Sequence, residues 1–166
     1  MKHPEQRVGV FVDVQNMYHS AKNLYNARVN FKEVLKASVA GRKLVSAIAY
    51  VITSPTKEEA SFFEALDKSG YKVKTKDLQI FPGGAKKADW DVGLAMDAIR
   101  FSSKLDVIVL VSGDGDYIPL VEYLQNNGAQ VEVIAFAESS SKNLIETVDD
   151  FTDLSKDKRR YLMKIK

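Results

Sequence analysis

The chain has 166 residues, a net charge of +2 and no cysteine. This length suits one domain with a core large enough to fold without cross-links. The lack of cysteine excludes disulfides and thiolate metal sites, and with only His3 and His19 present a histidine-built zinc site is not expected. The apolar runs are too short for a membrane span, and the start does not resemble a signal peptide. We therefore expect a cytoplasmic protein with no membrane association.

Short apolar segments alternate with amphipathic ones along the chain. The first kind is rich in β-branched and aliphatic residues and predicts strands, whereas the second has helical spacing. Strand and helix in alternation predict βαβ units, an α/β fold and a parallel sheet of about five strands. The predicted strands are residues 8–12, 43–53, 71–80, 107–111 and 130–136, and the predicted helices are residues 15–26, 30–41, 54–70, 88–103, 119–127 and one that begins at 139–141.

The first predicted strand ends in an acid. Asp13 follows the apolar run 8–12, and Asn16 lies just beyond it. In an open parallel sheet, ligands bind outside the carboxyl ends of the strands, so Asp13 is expected at such an edge. Asp13 or Asn16 can also serve as the N-cap of the following helix.

Lysines mark the third predicted strand. Lys72, Lys74 and Lys76 alternate with less polar residues and therefore share one face. This pattern is typical of an edge strand guarded against aggregation, and the alternative is a face that contacts phosphate groups. Residues 81–87 are predicted to form a loop or short arm, with no nucleotide-binding glycine fingerprint.

The helix predicted over residues 88–103 carries an acid on its apolar side. Asp91 lies one turn from Leu94 and Ala95, where a carboxylate needs a partner. The alternative is a first-turn acid favoured by the helix dipole. Asp89 is expected to cap this helix, and Asp97 lies about 120° round the helix from Asp91 and is less easily aimed at the same point.

The most informative segment is the strand 107–111 followed by Ser112-Gly113-Asp114-Gly115-Asp116-Tyr117. A fully apolar strand stops at two carboxylates set between glycines, which allow a tight or left-handed backbone. If this strand and the first are neighbours at the switch point of the sheet, Asp114 and Asp13 converge. Such a cluster needs a cation or a trapped proton. The alternative is a strand-to-helix turn in which Asp116 is the N-cap.

The end of the chain is basic. Residues 149–154 are predicted to form a packed terminal turn, and the last eleven residues carry a net charge of +5, which leaves −3 for the rest. This asymmetry suits an anionic polymer as partner, and a solubilising tail is the alternative.

Three motifs occur in the order found in one family. Phe11-Val12-Asp13-Val14-Gln15-Asn16, Lys87-Ala88-Asp89-Trp90-Asp91-Val92-Gly93 with Asp97, and Ser112-Gly113-Asp114-Gly115-Asp116-Tyr117 together resemble the NYN domain in its LabA-like form, a branch of the PIN-like nucleases. The resemblance implies a three-layer sandwich around a parallel sheet, with residues 1–154 as the NYN domain and residues 155–166 as a basic C-terminal tail.

The resemblance also implies a function. Metal-binding and catalytic acids are expected at Asp13, Asp91, Asp114 and Asp116, with Asn16 and Ser112 as polar neighbours that contact the substrate. The leading hypothesis is a ribonuclease that uses Mg²⁺ or Mn²⁺ and cuts single-stranded RNA. Lys87 is the residue expected to hold the phosphate. A protein partner or a homodimer is also compatible with this hypothesis.

Two other functions remain open. A haloacid-dehalogenase-like phosphatase also pairs a strand-end Asp with a Gly-Asp-Gly motif, but that group has an acid two residues after its nucleophile, where this chain has Gln15. The other possibility is a non-catalytic PIN-like domain that binds RNA or protein. The set of four acids argues for catalysis.

Overall fold

A computed structural model gives the fold of the protein. It describes residues 2–53, 59–80, 82–83, 86–87 and 89–165, with backbone alone for 79, 80, 86 and 87. The strands are β1 (Arg7–Asp13), β2 (Ala27–Val29), β3 (Lys43–Thr53), β4 (Lys72–Asp77), β5 (Gln79–Ile80), β6 (Lys86–Lys87), β7 (Val107–Val111), β8 (Gln130–Ala135), β9 (Asp150–Asp153) and β10 (Leu162–Lys164). The α-helices are α1 (Val14–Tyr25), α2 (Phe31–Val39), α3 (Glu59–Ser69), α4 (Asp91–Ser102), α5 (Ile118–Asn126), α6 (Lys142–Thr147) and α7 (Lys158–Tyr161).

A parallel sheet forms the centre of the described chain, with six strands in the order β4-β3-β1-β7-β8-β9. All residues of β7 are buried, as are all residues of β1 after Arg7. Such continuous apolar strands need cover on both faces, and α2, α4 and α5 pack against the sheet. The predicted layered α/β fold with a parallel sheet is confirmed.

The sixth strand was missed by sequence reasoning. Residues 149–154 were predicted to form a terminal turn, whereas Asp150–Asp153 form β9. Four residues of which two are Asp carry little intrinsic strand propensity. They are extended because they pair with β8, with Phe151 opposite Val133.

The order of the strands reverses between β1 and β7. Strand β1 pairs with β3 on one side and with β7 on the other, and Val12 lies opposite Val111. Asp13 is the last residue of β1, and Ser112 is the first residue after β7. The two residues therefore lie side by side at the carboxyl edge of the sheet. This is the switch point at which open α/β sheets bind ligands.

Several predicted boundaries need correction around α4. The helix begins at Asp91 rather than Ala88, and its N-cap is Trp90 without a side-chain bond, so Asp89 is not the cap. The predicted strand 71–80 divides into β4 and β5, and β5 pairs antiparallel with β6, so Lys86 and Lys87 belong to a short hairpin rather than to a loop. Residues 54–58, the start of the helix predicted over residues 54–70, lie outside the described residues.

The basic segment after Leu154 is folded. It forms a short 3₁₀ turn (Leu154–Asp157), α7 and β10, and β10 pairs antiparallel with β2. Leu154 and Tyr161 are buried, so the segment is packed against the rest of the chain. The domain boundary at residue 154 stays a prediction. None of the described helices is long and apolar enough to cross a membrane.

A buried ion pair stabilises the other end of the sheet. Arg42 precedes β3, and its guanidinium donates to both carboxylate oxygens of Glu132 in β8 at 2.9 Å. The two side chains are 1% and 3% exposed. Arg42 also donates to the carbonyl oxygens of Ser38 and Val39 at the end of α2, so one side chain connects a helix end with the sheet.

Replacing Arg42 by Ala should be strongly destabilising, because it leaves the Glu132 charge buried without a partner. We expect the free energy of unfolding to fall by about 3–5 kcal/mol in urea denaturation. Lys43→Ala is the matched control, since it breaks an exposed pair with Glu5 and should cost less than about 1 kcal/mol. Equal losses in the two variants would contradict a structural role for the buried pair.

Candidate metal centre

Three carboxylates meet beyond the carboxyl ends of β1 and β7. Asp13, Asp91 and Asp114 each contribute one oxygen to a group in which all of these atoms lie within 4.8 Å of one another. Asp13 is buried and the other two are partly exposed. The predicted convergence of Asp13 and Asp114 is thus present in the structure, and the acid on the apolar side of α4 joins them.

Asp13 is held by bonds to both of its oxygens. It is the N-cap of α1, and its Oδ1 accepts from the backbone N–H of Asn16 at 3.2 Å. Its Oδ2 lies 3.4 Å from the hydroxyl of Ser112, which donates to it, and 3.2 Å from the hydroxyl of Tyr117. The residue therefore caps a helix and faces the other acids at once, as both interpretations of the sequence allow.

Asp114, not Asp116, caps the turn after β7. Its Oδ1 accepts from the backbone N–H of Asp116 at 2.9 Å and begins the 3₁₀ turn Gly115–Tyr117. The alternative in which Asp116 is the N-cap of the next helix is therefore wrong, since the N-cap of α5 is Tyr117. Asp116 is exposed and does not belong to the group of three among the described residues.

Tyr117 joins two of the acids, and sequence reasoning gave it no role. The residue is 2% exposed, and its hydroxyl lies 3.2 Å from Oδ2 of Asp13 and 3.1 Å from Oδ1 of Asp91. A phenol has one proton and donates to one acceptor at a time. When no cation is bound, the second contact is favourable only if one of the two carboxyl groups holds a proton.

The electrostatics of the group agree with a shared proton. Burial raises the pKa of Asp13 to about 6, with the charges of Asp91 and Asp114 acting in the same direction and the bond from Asn16 opposing them. Burial and the charge of Asp114 also raise the pKa of Asp91. The pKa of Tyr117 is raised by burial and then by the two neighbouring carboxylates, so its hydroxyl keeps its proton.

The predicted substrate contacts differ in exposure. Asn16 lines the cleft in front of the acids, and its side-chain oxygen accepts from the backbone N–H of Gly113 at 3.0 Å. Ser112 is fully buried, and its oxygen also accepts from the backbone N–H of Asp114 at 3.2 Å. This burial argues against contact with substrate and for a role in positioning Asp13. Lys87 lies in β6, and its side chain lies outside the described part.

Gly113 is required by a close approach rather than by a left-handed backbone. Its φ is not among the positive values of the chain, so of the two backbone conformations that the sequence allowed here, tight or left-handed, the left-handed one is not adopted. A Cβ at Gly113 would lie 2.9 Å from Cα of Ser140. The segment before α6 therefore packs directly on the loop that carries Asp114, and the backbone N–H of Ser141 donates to the carbonyl oxygen of Gly113 at 2.9 Å.

Asp97 lies apart from the acids, as its position on the helix predicted. It accepts from Lys74 at 2.6 Å, from the hydroxyl of Tyr50 at 2.7 Å and from Arg100 at 2.8 Å. Burial alone would raise the pKa of Asp97, but the bonds from Lys74 and Tyr50 lower it below its ordinary value. Lys74 thus neutralises an internal charge and links the edge strand β4 to α4.

The raised pKa of Asp13 predicts a pH effect on stability in metal-free protein. The folded state holds the proton of Asp13 more tightly than the unfolded chain does. The protonated Asp13 therefore stabilises the fold fully below pH 3.8, and this stabilisation is lost as the pH rises through about 6. The loss is about 3 kcal/mol at 1.36 kcal/mol per pKa unit. Asp13→Asn cannot titrate and should lose less stability over this window in urea denaturation. Parallel pH profiles of the two proteins would contradict the buried, protonated state.

Comparison with known proteins agrees with the motifs. The NYN domain model matches residues 7–155. The chain is 25% identical over 164 residues to the Low amplitude and bright protein LabA of Synechococcus elongatus. The alignment covers 90% of this chain and 84% of LabA. It also superposes on the crystal structure of a protein of unknown function, VPA0982 from Vibrio parahaemolyticus RIMD 2210633, with a TM-score of 0.87 and 30% identity over 98% of this chain and 99% of that one. The family expected from the three motifs is confirmed: the chain belongs to the NYN domain family.

Proposed function

We propose that the protein is a metal-dependent ribonuclease that hydrolyses phosphodiester bonds of single-stranded RNA. The observation that carries this proposal is the meeting of three carboxylates within 4.8 Å at the switch point of the sheet. Membership of the NYN family supports it, because the family is one of PIN-like nucleases. RNA as substrate also agrees with the cytoplasmic location expected from the sequence.

The donor set fits Mg²⁺ or Mn²⁺. These ions prefer oxygen ligands, keep several waters and accept phosphate oxygens as further ligands. The three acids supply oxygen ligands only. Burial raises the pKa of Asp13, and the charges of Asp91 and Asp114 act in the same direction, so a cation at this place would favour the ionised form of Asp13. Either ion, when bound, would lower the pKa of a water and neutralise charge that develops on the phosphate.

Each residue of the site has a distinct role in this proposal. Asp13, Asp91 and Asp114 hold the ion, and Asp116, exposed beside them, orients the attacking water. Tyr117 fixes the distance between Asp13 and Asp91 through its hydroxyl.

The residues around the acids complete the site. Ser112 aligns Asp13 from the buried side. The side-chain NH₂ group of Asn16 has no partner in the described part of the chain and is available to a phosphate or sugar oxygen. Lys87 remains the residue proposed to hold the reacting phosphate.

The rival functions have less support. A phosphatase that forms an aspartyl-phosphate needs a carboxylate oxygen free to attack, and both oxygens of Asp13 accept hydrogen bonds. Position 15 supplies an amide where such an enzyme needs an acid. A domain that binds RNA or protein without cutting has the same fold, and measurement of cleavage separates it from a nuclease. A protein partner or homodimer is compatible with either activity.

Metal should stabilise the folded protein, because the ion binds the native group of acids and not the unfolded chain. At a hundredfold excess over the dissociation constant, the gain is about 2.7 kcal/mol, which is measurable as a rise in melting temperature with Mg²⁺ or Mn²⁺. Asp91→Asn should remove most of this rise. Asp67→Asn, the same change on the exposed face of α3, is the control and should keep it. A melting temperature indifferent to both ions would remove the main support for a metal site.

A comparison of RNA with a phosphate monoester as substrates tests the proposed activity. With Mn²⁺ present, single-stranded RNA should be shortened while p-nitrophenyl phosphate stays intact. Asp91→Asn should slow cleavage by about a hundredfold or more, the size expected for loss of a positioned electrostatic group. RNA that is bound but never cut would favour the binding module. Turnover of the monoester with a phosphate trapped on Asp13 would favour the phosphatase.

A further inference from the structure

A cleft extends from the three acids along one face of α1. Its volume is about 360 Å³, at the lower end of the range for small-molecule sites, about 300–1,000 Å³. Besides the acids, it is lined by Ser139 and by six residues of α1, which are Gln15, Asn16, His19, Ser20, Asn23 and Leu24. The residues of α1 recur at helical spacing, so they form one continuous wall. A cleft of this size accepts one nucleotide and not a duplex.

The polar groups of this wall are free to bind a ligand. The side-chain amides of Gln15 and Asn23 have no hydrogen-bond partner within the described residues, whereas Gln6, Gln125 and Gln130 donate to other groups of the protein. His19 and Asn23 are exposed. The ring of Tyr18 lies edge-on to the ring of His19, with centroids 5.4 Å apart.

The charge of the cleft indicates which part of a nucleotide it takes. Among the residues whose side chains the structure describes, its lining includes the carboxylates of Asp13, Asp89, Asp91 and Asp114 and no lysine or arginine. A phosphate group is repelled from such a surface except where a cation neutralises it, so the wall formed by α1 suits the uncharged base and ribose. Amide side chains match the adjacent donors and acceptors on base edges, and the imidazole ring of histidine stacks on unpaired bases.

The basic side chain of Lys158 lies at the far end of α1. Nζ of Lys158 lies 4.6 Å from the centre of the Tyr25 ring, and Tyr25 follows Leu24 of the cleft. Tyr25 also packs on Phe136 at the end of β8, with centroids 5.4 Å apart. The acids, the cleft and the folded basic segment therefore follow one another along α1.

We propose that this cleft binds the base and ribose of the nucleotide next to the reacting phosphate, and that Gln15, His19 and Asn23 select the base. Lys158 then neutralises a phosphate one or more nucleotides further along the strand. This inference rests on the proposed ribonuclease function, and it assigns the residues that set the sequence preference and the path of the bound strand from the acids to the basic segment. Gln15, His19 and Asn23 are specificity residues, because they face the base and not the bond that breaks.

Four RNA nonamers that differ only in the nucleotide beside a single cutting position test the proposal. The wild-type protein with Mn²⁺ should cut them at different kcat/KM. Gln15→Ala and Asn23→Ala should reduce the ratio between best and worst substrate by about 5- to 150-fold, which corresponds to the 1–3 kcal/mol of discrimination carried by one good amide-to-base pair. Asn126→Ala is the control, since it makes the same change at an exposed position near the end of α5 and should keep the ratio.

A second measurement separates failure of the inference from failure of the proposed function. Titration of AMP, CMP, GMP and UMP into the Mg²⁺-treated protein should shift the side-chain amide NMR signals of Gln15 and Asn23, most strongly for the base preferred in cleavage. Normal cleavage with equal use of the four nonamers, or with preferences unchanged in both variants, would overturn the inference and leave the nuclease intact. Absence of cleavage together with selective shifts would overturn the nuclease and leave the base site. Absence of shifts with all four nucleotides would overturn the site itself.

Discussion

Repulsion between the carboxylates at the switch point is the constraint to which the surrounding structure responds. Two unit charges about 4 Å apart repel by roughly 4 kcal/mol at an effective dielectric near 20. The repulsion among Asp13, Asp91 and Asp114 is opposed by groups that fix each of them in place. Asp13 caps α1, Asp114 caps the turn after β7, and the Tyr117 hydroxyl contacts two of the acids. Each acid therefore has a local structural reason to stay when no cation is present.

The buried ion pair that stabilises the fold and the candidate site lie at opposite ends of the strands. The amino ends carry Arg42 and Glu132, a paired and fully hydrogen-bonded set of charges. The carboxyl ends carry three like charges, and the pKa values of Asp13 and Asp91 are raised there, first by burial. A site that holds uncompensated charge lowers the stability of the fold, so other parts of the protein must offset this cost. The sheet connects the two ends, because β3 follows Arg42 and β8 contains Glu132.

Sequence reasoning predicted the features that depend on local pattern. Apolar runs that end in Asp13 and Asp114 are visible in the chain, and one rule of parallel sheets brings their ends together. The role of Tyr117 depends on the position of α4 across the sheet, which no spacing reveals. Strand β9 exists only through its partner strand, and Gly113 is small because Ser140 approaches it from 27 residues further along the chain. Contacts between segments that are distant along the chain are the features of the fold and the site that a single sequence does not reveal.

The charges of the chain also impose an order on binding. The cleft beside α1 contains four carboxylates, so a polyanion meets repulsion there until the acids are neutralised. The basic segment has the opposite charge, and Lys158 and Arg159 are exposed. An RNA strand, the proposed substrate, can therefore attach first at the basic segment, through contacts that weaken as the salt concentration rises. In the proposed ribonuclease, its advance along α1 toward the acids would then depend on a bound cation, and cation binding would control entry of the RNA as well as the chemistry.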